Sequence, residues 1–134
     1  MSSDKRQRLA IAGLGAIGLR VAQAVDRGEV DGIELTAVSA NDRAAAAKRV
    51  SGFRVAPDVL PIEDLPDHAD VVVECAPAAI FSDIATGVLS KGLTFLPLSV
   101  GALLRHPELI DLARDNGARI VVPTGAIIGL DTVR

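Results

Sequence analysis

A chain of 134 residues is the length of one domain and can bury a core without disulfide or metal staples. Its 49% apolar content is mostly aliphatic, with twelve Gly, three Phe and neither Tyr nor Trp; this suits helix-covered parallel strands and offers no aromatic platforms for single-stranded nucleic acid. A net charge of −3 gives no pull toward polyanions, no apolar run is long enough to span a membrane, and the single Cys75 excludes an intrachain disulfide.

Lys5, Arg6 and Arg8 read as a solvated tail, and Met1-Ser2-Ser3-Asp4 opens no signal peptide, so a cytoplasmic protein is expected. Residues 9–13 read as a short buried strand that runs straight into glycines. A helix follows from Ile17, with Ile17, Val21, Ala24 and Val25 on one face, and ends at Arg27-Gly28, where Gly28 takes the left-handed cap. Residues 33–39 alternate Ile33, Leu35 and Ala37 against Glu34, Thr36 and Val38 as a second strand. Asn41 or Asp42 caps an alanine-rich helix over residues 43–50. Pro57, Pro61 and Pro66 punctuate residues 52–69, which read as a short strand, turns and loop.

Residues 70–76 form a nearly continuous apolar run, the pattern of a central parallel strand. Pro77 then sits where a first helical turn tolerates proline. Phe81, Ile84, Ala85, Val88 and Leu89 mark the clearest amphipathic helix, closed by Lys91-Gly92. Residues 93–99 are the next strand. A helix over residues 107–116 turns Leu109, Leu112 and Ala113 inward and ends at Gly117, and residues 119–123 are a last strand. This alternation predicts an α/β doubly wound parallel sheet, the Rossmann fold. Its cleft lies at the carboxyl ends of the strands, and residues 13–18, 39–43, 75–77, 99–101 and 123–126 are expected to line it.

Gly13-Leu14-Gly15-Ala16-Ile17-Gly18 matches G-x-G-x-x-G between a strand and a helix, the context its mechanism requires. Gly13 permits the tight turn, Gly15 leaves room for a pyrophosphate, and Gly18 lets helix and strand pack closely. The free N–H groups of the helix then face the phosphates of NAD or NADP. Past the second strand, Asp42 is placed to reach a ribose hydroxyl, whereas Ser39 and Arg43 are placed to hold a 2′-phosphate. The choice between NAD and NADP stays open at this point.

Glu74 reads either as a buried acid or as the partner of a nearby arginine. Cys75 has no basic neighbour to form a thiolate and reads as a packed, inert thiol. His68 and His106 read as surface residues, and neither a zinc spacing nor a Ser/His/Asp grouping is present, so no metal is expected.

Three segments resemble L-aspartate dehydrogenases: Glu74-Cys75-Ala76-Pro77-Ala78-Ala79, Leu96-Pro97-Leu98-Ser99-Val100-Gly101-Ala102-Leu103, and Val122-Pro123-Thr124-Gly125-Ala126-Ile127-Ile128-Gly129-Leu130-Asp131. The resemblance implies NAD(P)-dependent oxidation of L-aspartate to iminoaspartate, which hydrolyses to oxaloacetate and ammonia or feeds NAD synthesis. It implies cofactor contacts at Gly13, Gly15, Ala16, Ile17 and Gly18, and at Cys75, Ala76 and Pro77. Ala126 would sit near the nicotinamide, with Thr124 and Gly125 beside it.

The family's catalytic histidine and most substrate contacts belong to a second domain. The expected organisation is therefore one nucleotide-binding domain over residues 1–134, without that catalytic domain and with no catalytic residue in this chain. The full-length enzyme is expected to be a homo-oligomer. Sugar and inositol dehydrogenases resemble Glu-Lys-Pro after the fifth strand, and this chain has neither that Glu nor that Lys. Homoserine dehydrogenase and dihydrodipicolinate reductase share the opening pattern but not the closing one. A nucleotide-sensing module without catalysis is the reading from another class.

Overall fold

The strand Gln7–Ala12 (β1) carries Leu9 and Ile11 on one face and Ala10 and Ala12 on the other, and all four are buried. A strand buried on both faces needs a neighbour at each edge and a layer above and below it. Its neighbours are Ile33–Ser39 (β2) and Val71–Glu74 (β4), both parallel to it. The remaining strands are Asp58–Val59 (β3), Thr94–Pro97 (β5) and Arg119–Ile120 (β6). This computed structural model describes residues 6–123, and in it the strands form one parallel sheet in the order β3-β2-β1-β4-β5-β6. That is the Rossmann order, with the reversal of strand order falling between β1 and β4.

The helices are Ala16–Asp26 (α1), Arg43–Val50 (α2), Phe81–Leu89 (α3), Val100–Leu104 (α4) and Glu108–Asp115 (α5). One core layer joins Leu9, Ile11, Val38 and Val73 to Ala22, Val25 and Val50 of α1 and α2. The other joins Ala10, Val72 and Phe95 to Phe81, Leu89 and Leu109 of α3 and α5. Phe81 and Phe95 meet edge to face at 5.6 Å, and each is fully buried. Burial of a phenyl ring is worth about 2–3 kcal/mol, so this pair anchors its layer. Among the described residues, no helix is long and apolar enough to cross a membrane.

Several boundaries differ from the sequence reading, each for a local reason. β1 begins two residues early because Gln7 and Arg8, though exposed, pair by backbone register with Ile33 and Glu34. It stops before Gly13, whose φ of +102° leaves the strand region. The predicted alternation of β2 breaks at Thr36. The register steps from Leu9↔Leu35 to Ala10↔Ala37, so Thr36 is an extra residue that puts Leu35 and Val38 in the same layer. Its hydroxyl donates to the His68 carbonyl at 2.7 Å.

Asp42, not Asn41, caps α2, its Oδ1 accepting the Ala45 N–H at 3.0 Å. Gly28 has φ +77° beyond α1, as a left-handed cap should. The proline-rich stretch contains a 3-10 helix, Ile62–His68, and another, Ala78–Ile80, separates Pro77 from α3. In α5, Leu109 and Ala113 are buried while Leu112 is only partly covered. The helix α4 was not foreseen, and β6 is shorter than expected.

Candidate functional site

The turn from β1 into α1 is built around contacts that exclude side chains. A Cβ on Gly13 would lie 2.6 Å from the Cys75 carbonyl oxygen, and its φ of +102° suits only glycine. A Cβ on Gly18 would lie 2.1 Å from the Gly13 carbonyl oxygen, so the first turn of α1 rests directly on the loop. Gly15 is different: its φ is −82° and nothing lies within 4 Å of the Cβ position. The protein leaves space there that a side chain would fill. That open cradle fits a pyrophosphate.

Backbone hydrogen bonds fix the loop on both sides. The Gly13 N–H donates to the Ser39 carbonyl at 2.9 Å, and the Cys75 N–H donates to the Ala12 carbonyl at 2.8 Å. No side chain caps α1 and no acidic residue occupies its first turn. Its amino end therefore presents unpaired N–H groups and a positive dipole end to the cleft.

A cavity of about 570 Å³ opens beside this turn. It brings together Gly13, Gly15, Ser39, Asp42, Cys75, Ala76 and Pro77, seven of the residues expected from sequence. Ala16, Ile17 and Gly18 form the first turn of α1 behind it rather than its wall. Arg43 is exposed at the start of α2 and does not line the cavity, because the Asp42 cap turns the chain away at that point. Residues 99–101 do not line it either, since Ser99 is held by Glu74. Thr124, Gly125 and Ala126 lie outside the described residues.

Arg49 takes the place in the cleft that was expected of Arg43. It lines the cavity, and its Nη1 donates to the Leu14 carbonyl at 2.8 Å. The signal for it was helical spacing: Asp42, Ala45 and Arg49 fall on one side of α2.

Of the two readings of Glu74 the buried acid holds, and among the described residues no arginine forms an ion pair with it. The residue is fully buried, and its Oε2 accepts the Ala76 N–H at 2.9 Å while its Oε1 accepts the Ser99 N–H at 2.9 Å. The Ser99 hydroxyl donates to Oε2 at 2.9 Å. Two backbone amides and a hydroxyl do the work assigned to a guanidinium.

Burial, with the adjacent Glu74 carboxylate, pushes the Cys75 thiol up to about 12. The thiolate is the reactive form. At neutral pH the alkylation of Cys75 by iodoacetamide should therefore run about a thousandfold slower than that of a free cysteine. The rate should keep climbing through pH 9, where an ordinary thiol levels off. A plateau near pH 9 in the folded protein would contradict this environment.

His68 and His106 are both away from the cavity. His68 Nδ1 is 3.0 Å from the Asp64 carbonyl, and His106 sits 3.1 Å from Glu108 and stacks on Phe81. Among the described residues, no group of three or more His, Cys, Asp or Glu could hold a metal ion.

A glycine turn at the point where the strand order reverses, with its helix terminus aimed into a cleft, defines a dinucleotide-binding domain of the dehydrogenase type. Residues 13–123 match the family described as homoserine dehydrogenase, NAD binding domain, and the chain belongs to that family. It is 49% identical over 132 residues to L-aspartate dehydrogenase of Bradyrhizobium diazoefficiens, covering 98% of this chain and 46% of that protein. It is 46% identical over 133 residues to L-aspartate dehydrogenase 3 of Bordetella bronchiseptica, covering 99% and 49% respectively. Biliverdin reductase from Synechocystis sp. PCC 6803, solved with biliverdin and NADP+, superposes with a TM-score of 0.72 at 25% identity, covering 91% of this chain and 39% of that one. The chain spans about half the length of the curated relatives it matches.

Proposed function

We propose that this chain is the nucleotide-binding half of an NAD(P)-dependent L-aspartate dehydrogenase. One observation carries the reading: a built glycine cradle occurs in a chain 46% to 49% identical, across nearly its whole length, to proteins of that name. The reaction is the reversible oxidation of L-aspartate to iminoaspartate, which gives oxaloacetate and ammonia or supplies NAD synthesis. When bound, the dinucleotide accepts hydride from the substrate Cα.

This chain's residues bind and orient. Gly13 and Gly15, with the first turn at Ala16, Ile17 and Gly18, receive the pyrophosphate. Ser39 and Asp42 face the adenosine end, where Arg49 adds a positive charge in place of Arg43. Cys75, Ala76 and Pro77 border the nicotinamide side, and the family resemblance assigns Thr124, Gly125 and Ala126 to the same end of the cofactor. The base and the substrate contacts come from a second domain in the other half of the parent polypeptide. That parent is a cytoplasmic homo-oligomer acting on a small molecule, with neither nucleic acid nor membrane as partner.

Calorimetric titration of the domain with NAD, NADP and ADP-ribose tests the reading. At least one dinucleotide should bind with a Kd below about 1 mM. No heat and no spectral shift with any of the three at millimolar concentration would overturn it. Aspartate-dependent formation of reduced cofactor should be absent from the 134-residue chain. Turnover at an ordinary dehydrogenase rate, about 10 s⁻¹, would place the catalytic groups in this half instead.

A further inference from the structure

Glu74 is the one fully buried charged side chain among the described residues. It is the last residue of β4, paired in register with Ala12 of β1 on one side and Pro97 of β5 on the other. It thus stands on the carboxyl edge of the sheet beside the strand reversal. Both carboxylate oxygens accept backbone N–H groups, one from Ala76 and one from Ser99. Among the described residues, no Lys, Arg or His forms an ion pair with it.

Burying a carboxylate is expensive, and amide dipoles only partly replace water. A glutamine offers one acceptor oxygen where these two N–H groups need two, so the pair of amides selects a carboxylate. The arrangement thereby sets a carboxylate, held by N–H and O–H donors and by no cationic side chain among the described residues, under the floor of the cleft. Ala76, which Glu74 holds, lines the same cavity as the glycine loop. A dinucleotide crossing the strand reversal has its adenosine over β2, beside Ser39 and Asp42, so its nicotinamide lies on the β4 and β5 side. The buried charge is on that side. Cys75, next in the chain, already registers its field, since Glu74 helps to raise the thiol.

We propose that Glu74 is a positioning residue that sets a fixed negative charge beneath the nicotinamide half of the cleft. The charge favours the oxidised, cationic ring of a bound dinucleotide over the reduced, neutral one. The inference rests on the dinucleotide-binding reading above. It adds a redox-state preference to that site, fitting a domain that takes up the oxidised cofactor and releases the reduced one.

The test is a set of calorimetric titrations on the 134-residue domain with NAD+, NADH, ADP-ribose and the benzamide analogue of NAD+, whose ring has the same flat shape but no charge. The native domain should bind NAD+ roughly three- to tenfold more tightly than the benzamide analogue, the range expected of a unit charge several ångströms away in a partly screened site. Glu74→Gln should reduce that ratio, and the NAD+ to NADH ratio with it, by the same factor while leaving ADP-ribose binding nearly unchanged. Ser99→Ala removes one hydrogen bond and keeps the charge, so it should leave both ratios as they are. Equal binding of NAD+ and the benzamide analogue by the native domain would overturn the proposal, even if Glu74→Gln fails to fold. So would a folded Glu74→Gln domain with unchanged ratios. Failure of ADP-ribose itself to bind would instead overturn the dinucleotide reading.

Discussion

Gly18→Ala is expected to unfold the domain. Alanine is the better helix former by about 1 kcal/mol, so propensity alone predicts a small gain. Contact geometry predicts the opposite, because the new methyl would lie 2.1 Å from the Gly13 carbonyl oxygen. That oxygen belongs to backbone held by the Gly13 hydrogen bond to Ser39, and α1 cannot lift away without exposing Ala22 and Val25. Relief of such a clash costs more than about 4 kcal/mol, a large share of the roughly 5–15 kcal/mol that holds a domain together. Urea denaturation followed by circular dichroism measures it. A midpoint within experimental error of the parent would mean that helix and loop are not in contact.

Gly15→Val should have the complementary result: loss of dinucleotide binding from a domain that remains folded. The position has an ordinary φ of −82° and empty space where the side chain would go. The stability cost is that of a poor helix N-cap, about 1 kcal/mol. The isopropyl group would fill the volume through which phosphate oxygens reach the α1 amides, so affinity should fall at least a hundredfold. Titration and a thermal melt of the same sample separate the two effects. Binding at parental strength would move the phosphate site elsewhere. Two glycines three residues apart thus have opposite roles, one structural and one reserved for ligand.

The glycine motif was legible because its constraints are local: a strand, a tight turn and a helix follow one another in the chain. The central strand was legible for a similar reason, since burial on both faces leaves a continuous apolar run at Val71, Val72 and Val73. Features set by distant partners were not legible. The break of alternation at Thr36 depends on the register against β1. The two amides that hold Glu74 come from residues 76 and 99, and the pattern of neither segment marks it as the donor to a buried carboxylate. Arg43 was named because it follows the strand end directly in sequence, whereas the helix returns Arg49 to the loop. The short α4, with a glycine inside it, offers too few residues for helical periodicity to register.

The hydrogen bonds that fix the glycine turn also bear on how a ligand arrives. Ser39, Ala12 and Leu14 each contribute a carbonyl to the stitching around the loop, and in each of these bonds the donor is another group of the protein. Most of the ordering entropy of the phosphate cradle is therefore lost during folding, before any encounter. Association should be a single fast phase that rises linearly with nucleotide concentration, without the saturating slow step of a loop that must rearrange.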